Sequence, residues 1–257
     1  MQLYALNSDG SALSARSASK KVNYSCIECG EVVRLREGEF RQPHFYHLNP
    51  PPSCRQNGKS LTHIQLQFYI QSKIGADAVQ LEKPFPAIHR VADSVWEKEK
   101  IVFEVQCSPM TKEEMQKRTA DYESIGYQVV WILHERNYNQ WRMTALEEAV
   151  QTIPHYYSNF SPGGEGYIYD QWQYAANGKR MKVLPRLPIE ISKPIRLKKQ
   201  QSFGSAYVEK RAQNWPLYFE GDLLTLKEQS FGEDYLRRAQ FHEKELKPKK
   251  ISWWKWA

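Results

Sequence analysis

Arg90-Val-Ala-Asp-Ser-Val-Trp96, Glu97-Lys-Glu-Lys100 and Ile101-Val-Phe-Glu-Val-Gln-Cys107 follow one another without interruption. Two apolar runs of strand composition flank a short charged turn, the signature of a β-hairpin. A turn centred on Lys98-Glu99 sets Trp96 opposite Ile101 and Asp93 opposite Glu104. Side chains directly opposite in an antiparallel pair are about 4.5–5.5 Å apart at Cβ, and like charges there repel. A divalent cation, a shared proton or a nearby base offsets such repulsion. Period-2 alternation puts Val102, Glu104 and Gln106 on one face, with Phe103, Val105 and Cys107 on the other, packed one. Cys107 is thus expected to be an inert buried thiol. A carboxylate inside Ile-Val-Phe-Glu-Val-Gln is costly unless paired or ligating, so the hairpin reads as a site and not as a charged surface.

Working outward, Ser60 can cap a helix from about Leu61 to Ile74, stopped by Gly75. His63 and Gln67 share one face of it at i, i+4. A strand is expected at Ala78-Val-Gln-Leu81. After the hairpin, Thr111 can cap a helix from about Lys112 to Ile125, with Glu113 and Glu114 in its positive first turn. Arg118 and Tyr122 share a face of this helix. Tyr127-Gln-Val-Val-Trp-Ile-Leu133 is then a strand of buried composition, parallel to its predecessor if the helix is a crossover. The order α-β-β-β-α-β defines an α/β unit over residues 58–150.

Residues 1–57 form a separate unit. Strands are expected at Val22–Cys26 and Glu31–Leu35 around Cys-Ile-Glu-Cys-Gly30, the frame of a zinc ribbon. Cys26 and Cys29 at x2 spacing can present two thiolates to one tetrahedral ion. His47 and Cys54 are the chosen second pair, with His44 the alternate ligand or a hydrogen-bonded partner. Three of the four cysteines cluster within this unit and no secretion signal precedes them, which favours structural Zn²⁺ over disulfides. A ribbon this small would draw much of its stability from the metal.

Residues 151–257 form the third region, with a loop at Ser161–Gly166, three prolines from Pro185 to Pro194 and a helix near Leu223–Glu243. Net charge is +7, unevenly spread: residues 1–185 carry 21 Lys+Arg against 20 Asp+Glu, and residues 186–257 carry 15 against 9. Basic pairs Lys198-Lys199, Lys210-Arg211, Arg237-Arg238 and Lys247–Lys250 are interleaved with Trp215, Tyr218, Phe231, Tyr235 and Trp253-Trp254. Such a pattern suits a polyanion, single-stranded nucleic acid above all. The same tryptophans, Trp256 included, can instead dock on the body of the protein. His89, His134, His155 and His242 lack companions at ligand spacing and read as structural. No apolar run approaches the length of a membrane span and no signal peptide is evident, so a cytoplasmic protein is expected.

Asp93, ten residues, then Glu104-x-Gln106 resembles the PD-(D/E)xK nuclease superfamily, with Gln in place of the usual Lys. The wider pattern resembles the competence protein CoiA family: Cys-x2-Cys, His44-Phe-Tyr-His47, a helix bearing His63, Arg90-x-Ala-Asp93, Phe103-Glu-x-Gln-x-Ser108, Arg118-x3-Tyr122 and Trp131-Ile-Leu133. The resemblance covers roughly residues 20–135. It implies a restriction-endonuclease-like core and a Mg²⁺- or Mn²⁺-dependent deoxyribonuclease. It also implies a role in promoting recombination of DNA taken up during transformation, alongside recombination proteins. Asp93 and Glu104 would hold Mg²⁺ with the carbonyl of Val105. Gln106 would orient water by hydrogen bonds, since it cannot carry a positive charge. His63 would contact phosphate, ligate metal or relay a proton, Arg118 would clamp phosphate, and Tyr122 would line the site. A non-catalytic DNA-binding accessory protein on the same core is the alternative.

Overall fold

The computed structural model describes residues 1–39, 41–196 and 202–246. They fall into two compact units, residues 1–140 with 144–168, and residues 141–143 with 169 onward. The expectations for Lys198-Lys199, Lys247–Lys250, Trp253, Trp254 and Trp256 lie outside the described residues.

The first unit opens with β1 (Tyr4–Leu6), β2 (Ala12–Ser14), β3 (Tyr24–Ser25), β4 (Val32–Gly38) and β5 (Arg41–His47). They form one antiparallel sheet ordered β2-β1-β3-β4-β5. This is larger than the pair of strands expected around the Cys-x2-Cys turn. The additional strands bring Ala5 and Phe45 to Val33, Leu35, Cys26 and Cys54, closing a core of their own.

Helix α1 (Leu61–Ile74) follows, with the Ser60 hydroxyl accepting from His63 N and Gly75 at its C-terminus with φ 129°. Then come β6 (Val79–Phe85), β7 (Arg90–Trp96), β8 (Ile101–Gln106), α2 (Lys112–Ser124), β9 (Gln128–His134), α3 (Ala145–Ala149) and β10 (His155–Ser158). The strands lie in one sheet in the order β10-β9-β8-β7-β6. β6, β7 and β8 are antiparallel neighbours, with Trp96 opposite Ile101. β9 joins β8 in parallel after the α2 crossover, and β10 joins β9 in parallel.

Every residue of β8 is buried, and all of β9 but its first. A strand covered on both faces explains the continuous apolar run. It also corrects the expectation of one polar and one packed face on β8. Cys107 departs from expectation too: it lies beyond the end of β8, half-buried, and lines a cleft. β6 runs past its four-residue sequence signal because, as an edge strand, it tolerates Pro84, which sits opposite Val91.

The second unit contains β11 (Ile168–Asp170), β12 (Gln173–Ala176), β13 (Lys179–Val183), β14 (Leu187–Pro188), β15 (Glu190–Arg196), α4 (Ala206–Asn214), β16 (Leu217–Glu220) and α5 (Gly232–Leu246). The single helix expected near Leu223–Glu243 is instead a 3-10 turn over Leu223–Glu228 followed by α5. At Gly232 a Cβ would fall 1.6 Å from the carbonyl oxygen of Leu226, so this close approach requires glycine. Trp172, Leu223, Leu226, Leu236 and Ala239 fill the core.

This unit also corrects the reading of Arg211, Trp215 and Tyr235. Arg211 is buried and paired with Asp170 and Asp222, and its guanidinium lies 4.0 Å from the centroid of the buried Trp215 ring. Tyr235 is buried, its hydroxyl donating to the carbonyl of Pro185 at 2.8 Å. These residues hold the unit together and are not a surface for a polyanion.

Candidate functional site

Cys26, Cys29, His47 and Cys54 converge at the end of the first sheet, their ligand atoms all within 4.8 Å of one another. The sulfurs of Cys26 and Cys54 are 3.8 Å apart. His47 Nε2 lies 3.3 Å from Cys29 Sγ and 3.6 Å from Cys54 Sγ. Thiolates about 2.3 Å from a tetrahedral zinc are about 3.8 Å apart, so spacing and donor set both fit this metal. His44 is not part of the cluster; its Nδ1 lies 2.8 Å from the carbonyl of Gln42. Outer support comes from Gln2, whose Oε1 accepts from Cys26 Sγ at 3.2 Å. Glu28 Oε2 likewise accepts from Arg55 N and Gln56 N at 3.1 and 3.0 Å. Burial pushes the thiols of Cys26 and Cys54 up, and the facing sulfurs push Cys54 further. A cation among them reverses that preference and holds them as thiolates.

The chain leaving Cys54 runs along the rim of a cleft of about 590 Å³ whose walls include Arg55, Lys59, His63, Asp93, Gln106 and Arg118. Asp93, on β7, is the most heavily partnered acid here. Its Oδ1 accepts from His63 Nε2 at 2.9 Å and Gln67 Nε2 at 3.1 Å, and pairs with Lys59 Nζ at 2.9 Å. Its Oδ2 accepts from Val105 N at 2.9 Å. Burial alone would raise this carboxyl. His63 and Lys59, with the His63 hydrogen bond and Arg118, hold it well below the ordinary carboxylate range.

Glu104, on β8, is wholly buried and has a different environment. Arg118 Nη2 lies 2.6 Å from its Oε2, yet neither carboxylate oxygen has an aligned hydrogen bond. Burial pushes Glu104 up to about 7 against the pull of Arg118, and the charge of Asp93 adds to the rise. Two neighbouring carboxyls with oppositely shifted affinities for a proton are a common feature of active sites. Tyr122, fully buried on α2, stands beside Glu104, and burial together with the Glu104 charge raises its hydroxyl well above the ordinary tyrosine range. Arg118 stacks 5.7 Å above the Trp131 ring, which fixes its approach from α2.

Gln106 turns away from the acids, its Nε2 donating to the carbonyl of Ser108 at 2.6 Å. Lys59 is the residue that sequence reasoning missed. It precedes the Ser60 cap, is almost fully buried, and also pairs with Glu82 Oε1 at 3.0 Å. Glu82 in turn accepts from Leu3 N at 2.6 Å and Tyr4 N at 3.1 Å, tying the first sheet to the floor of the cleft. The available signal was Asn57-Gly58-Lys59, a break delivering a cation to the start of the His63 helix. Arg90, part of the quoted motif, clamps β7 to α2 through Glu114 and Asp121. His134 and His155 bond the carbonyls of Phe160 and Ile153.

The fold is a mixed α/β one with a Cys3His cluster in its N-terminal part. The model of the competence protein CoiA nuclease-like domain matches residues 60–171, and that of the CoiA N-terminal domain matches residues 9–57. The chain belongs to the competence protein CoiA family. No curated protein and no solved structure matches it. No helix among the described residues is long and apolar enough to cross a membrane.

Proposed function

We propose that the chain is a divalent-metal-dependent deoxyribonuclease that hydrolyses phosphodiester bonds in its cleft. It would act in the cytoplasm on DNA taken up during transformation and so promote recombination. On this reading residues 1–57 are a zinc-holding unit, residues 58–150 a restriction-endonuclease-like core, and residues 151–257 a separate region. The observation that carries it is Asp93 on the wall of an open cleft with Lys59, His63 and Arg118, and the wholly buried Glu104 paired with that same Arg118. Buried carboxylates are costly, and a surface hairpin would not need them.

The donor set suits Mg²⁺ or Mn²⁺. Asp93 Oδ2 accepts one hydrogen bond and keeps a lone pair, and neither Glu104 oxygen accepts an aligned hydrogen bond. Hard oxygen donors are what these ions select. Asp93 and Glu104 would hold the ion, with the Val105 carbonyl a further donor. A bound ion would polarise the scissile phosphate and lower the pKa of a water. Lys59 supplies the ammonium that position 106 lacks, and Glu82 and Asp93 hold it in place. His63 and Gln67 orient Asp93. Arg118 and Tyr122 set the charge on Glu104.

One observation favours a second reading, a DNA-gripping accessory protein without hydrolysis: Gln106 bonds to Ser108 and turns from the acids. Labelled single- and double-stranded DNA incubated with the purified protein and Mg²⁺ or Mn²⁺ separates the two. Cleavage that stops on chelation supports the nuclease. DNA binding without cleavage under either ion supports the accessory reading.

A further inference from the structure

The second unit carries a surface that the nuclease reading leaves unused. Residues 141–143 lie beside β13, where Arg142 bridges Lys179. Arg180 N donates to Trp141 O at 2.9 Å, and Met143 N donates to Gly178 O at 2.9 Å. This makes a third rung on the hairpin of β12 and β13. Arg142 and Lys179 therefore stand directly opposite one another, and both are exposed. Two cations so placed weaken a ladder unless an anion lies between them.

The hairpin itself supplies none. Between Gln171 and Ile189 there is no acidic residue, while Lys179, Arg180, Lys182 and Arg186 all fall there. Arg180 is turned inward onto Gln173. Among the described residues no carboxylate pairs with Arg142, Lys179 or Lys182. Trp141, which precedes Arg142 in the same segment, is 61% exposed, and Met181 and Val183 are 48% and 45% exposed on β13. An indole held in water on a segment that also carries an unneutralised cation is poor packing but a good platform for a base.

We infer that this three-rung surface binds single-stranded nucleic acid. Arg142, Lys179 and Lys182 contact backbone phosphates, and Trp141 stacks on an unpaired base. The phosphates provide the charge missing between Arg142 and Lys179. The unpaired base explains why the platform is aromatic and exposed, which duplex phosphates alone would not require.

The test uses the full chain without added divalent metal and follows the anisotropy of a labelled oligothymidylate and of a duplex of equal length. Trp141→Ala should weaken binding to the single strand by about 5- to 100-fold, the range measured for loss of one stacked base, with little change on the duplex. Trp141→Phe should retain most of the affinity. The double variant Arg142→Gln/Lys179→Gln should lower the slope of log affinity against log salt by about 1.4, since each phosphate contact to a single strand contributes about 0.7. Wild-type affinity and salt slope in both Trp141→Ala and the double variant would overturn the inference. So would equal weakening on both substrates. Anionic vesicles whose binding alone depends on these residues would overturn it as well. Because hydrolysis is not read, a failure of the nuclease proposal leaves this outcome intact.

Discussion

Lys59 Nζ stands 2.9 Å from Asp93 Oδ1, although the two residues come from a loop and a strand separated by the whole of α1 and β6. The motif position that usually carries a lysine is Gln106, which is hydrogen-bonded to Ser108. On the proposed nuclease reading Lys59 is the cation set against Asp93, a role the neutral Gln106 side chain cannot fill. Lys59→Met should reduce cleavage by about 100-fold or more, the scale of losing one preorganised charged group, while DNA affinity changes little. Cleavage kinetics and anisotropy on the same preparation check this.

The two acids should give the protein a distinctive stability profile in the absence of added Mg²⁺ or Mn²⁺. Glu104 binds its proton more tightly folded, near 7, than unfolded. Its protonation therefore favours the folded state, the gain growing as pH falls through about 7 and complete below the unfolded value of about 4.3. Asp93 is depressed in the fold, so its contribution is present above an unfolded value of about 3.9 and is lost on further acidification. Thermal melts should rise from pH 8 toward pH 5 and fall below pH 4. Glu104→Gln should flatten the rise and leave the fall.

Arg118 keeps the buried charge of Glu104 tolerable. Arg118→Met removes one partner of a buried pair and should destabilise the unit by about 3–5 kcal/mol at pH 8, less at pH 5 where Glu104 is neutral. Denaturant titrations at the two pH values measure the difference.

The Cys3His cluster predicts about one zinc per chain. Cys54→Ser should lower that content well below one. It should also loosen residues 55–60, because Glu28 orders Arg55 and Gln56 next to the ligand. Elemental analysis gives the first result and hydrogen exchange over this segment the second.

What could be read from the chain was local. The Trp96–Ile101 register, the Ser60 and Thr111 caps and the Gly75 stop depend on residues a few positions apart, and the structure has these, although the β7–β8 ladder ends at Ser94 opposite Phe103, one pair short of Asp93 and Glu104. His63 and Gln67 were placed on one helix face and both reach Asp93. Lys59 was missed because nothing local links it to Asp93. Arg211 was misread for the same reason: Asp170, which buries its charge, lies 41 residues away. Composition cannot separate a solvated arginine from a buried one. The cation-rich surface of the second unit lies instead on a hairpin joined to residues 141–143, a pairing across a long separation in sequence.

The central claim is that Asp93 and Glu104 form the hydrolytic centre. Its most direct test is the rate of Mg²⁺- or Mn²⁺-dependent cleavage of labelled DNA by Asp93→Ala and Glu104→Ala, each checked for folding and DNA affinity. The expected result is folded protein that binds DNA as wild type does and does not cut it; cleavage at the wild-type rate by either variant would contradict the account.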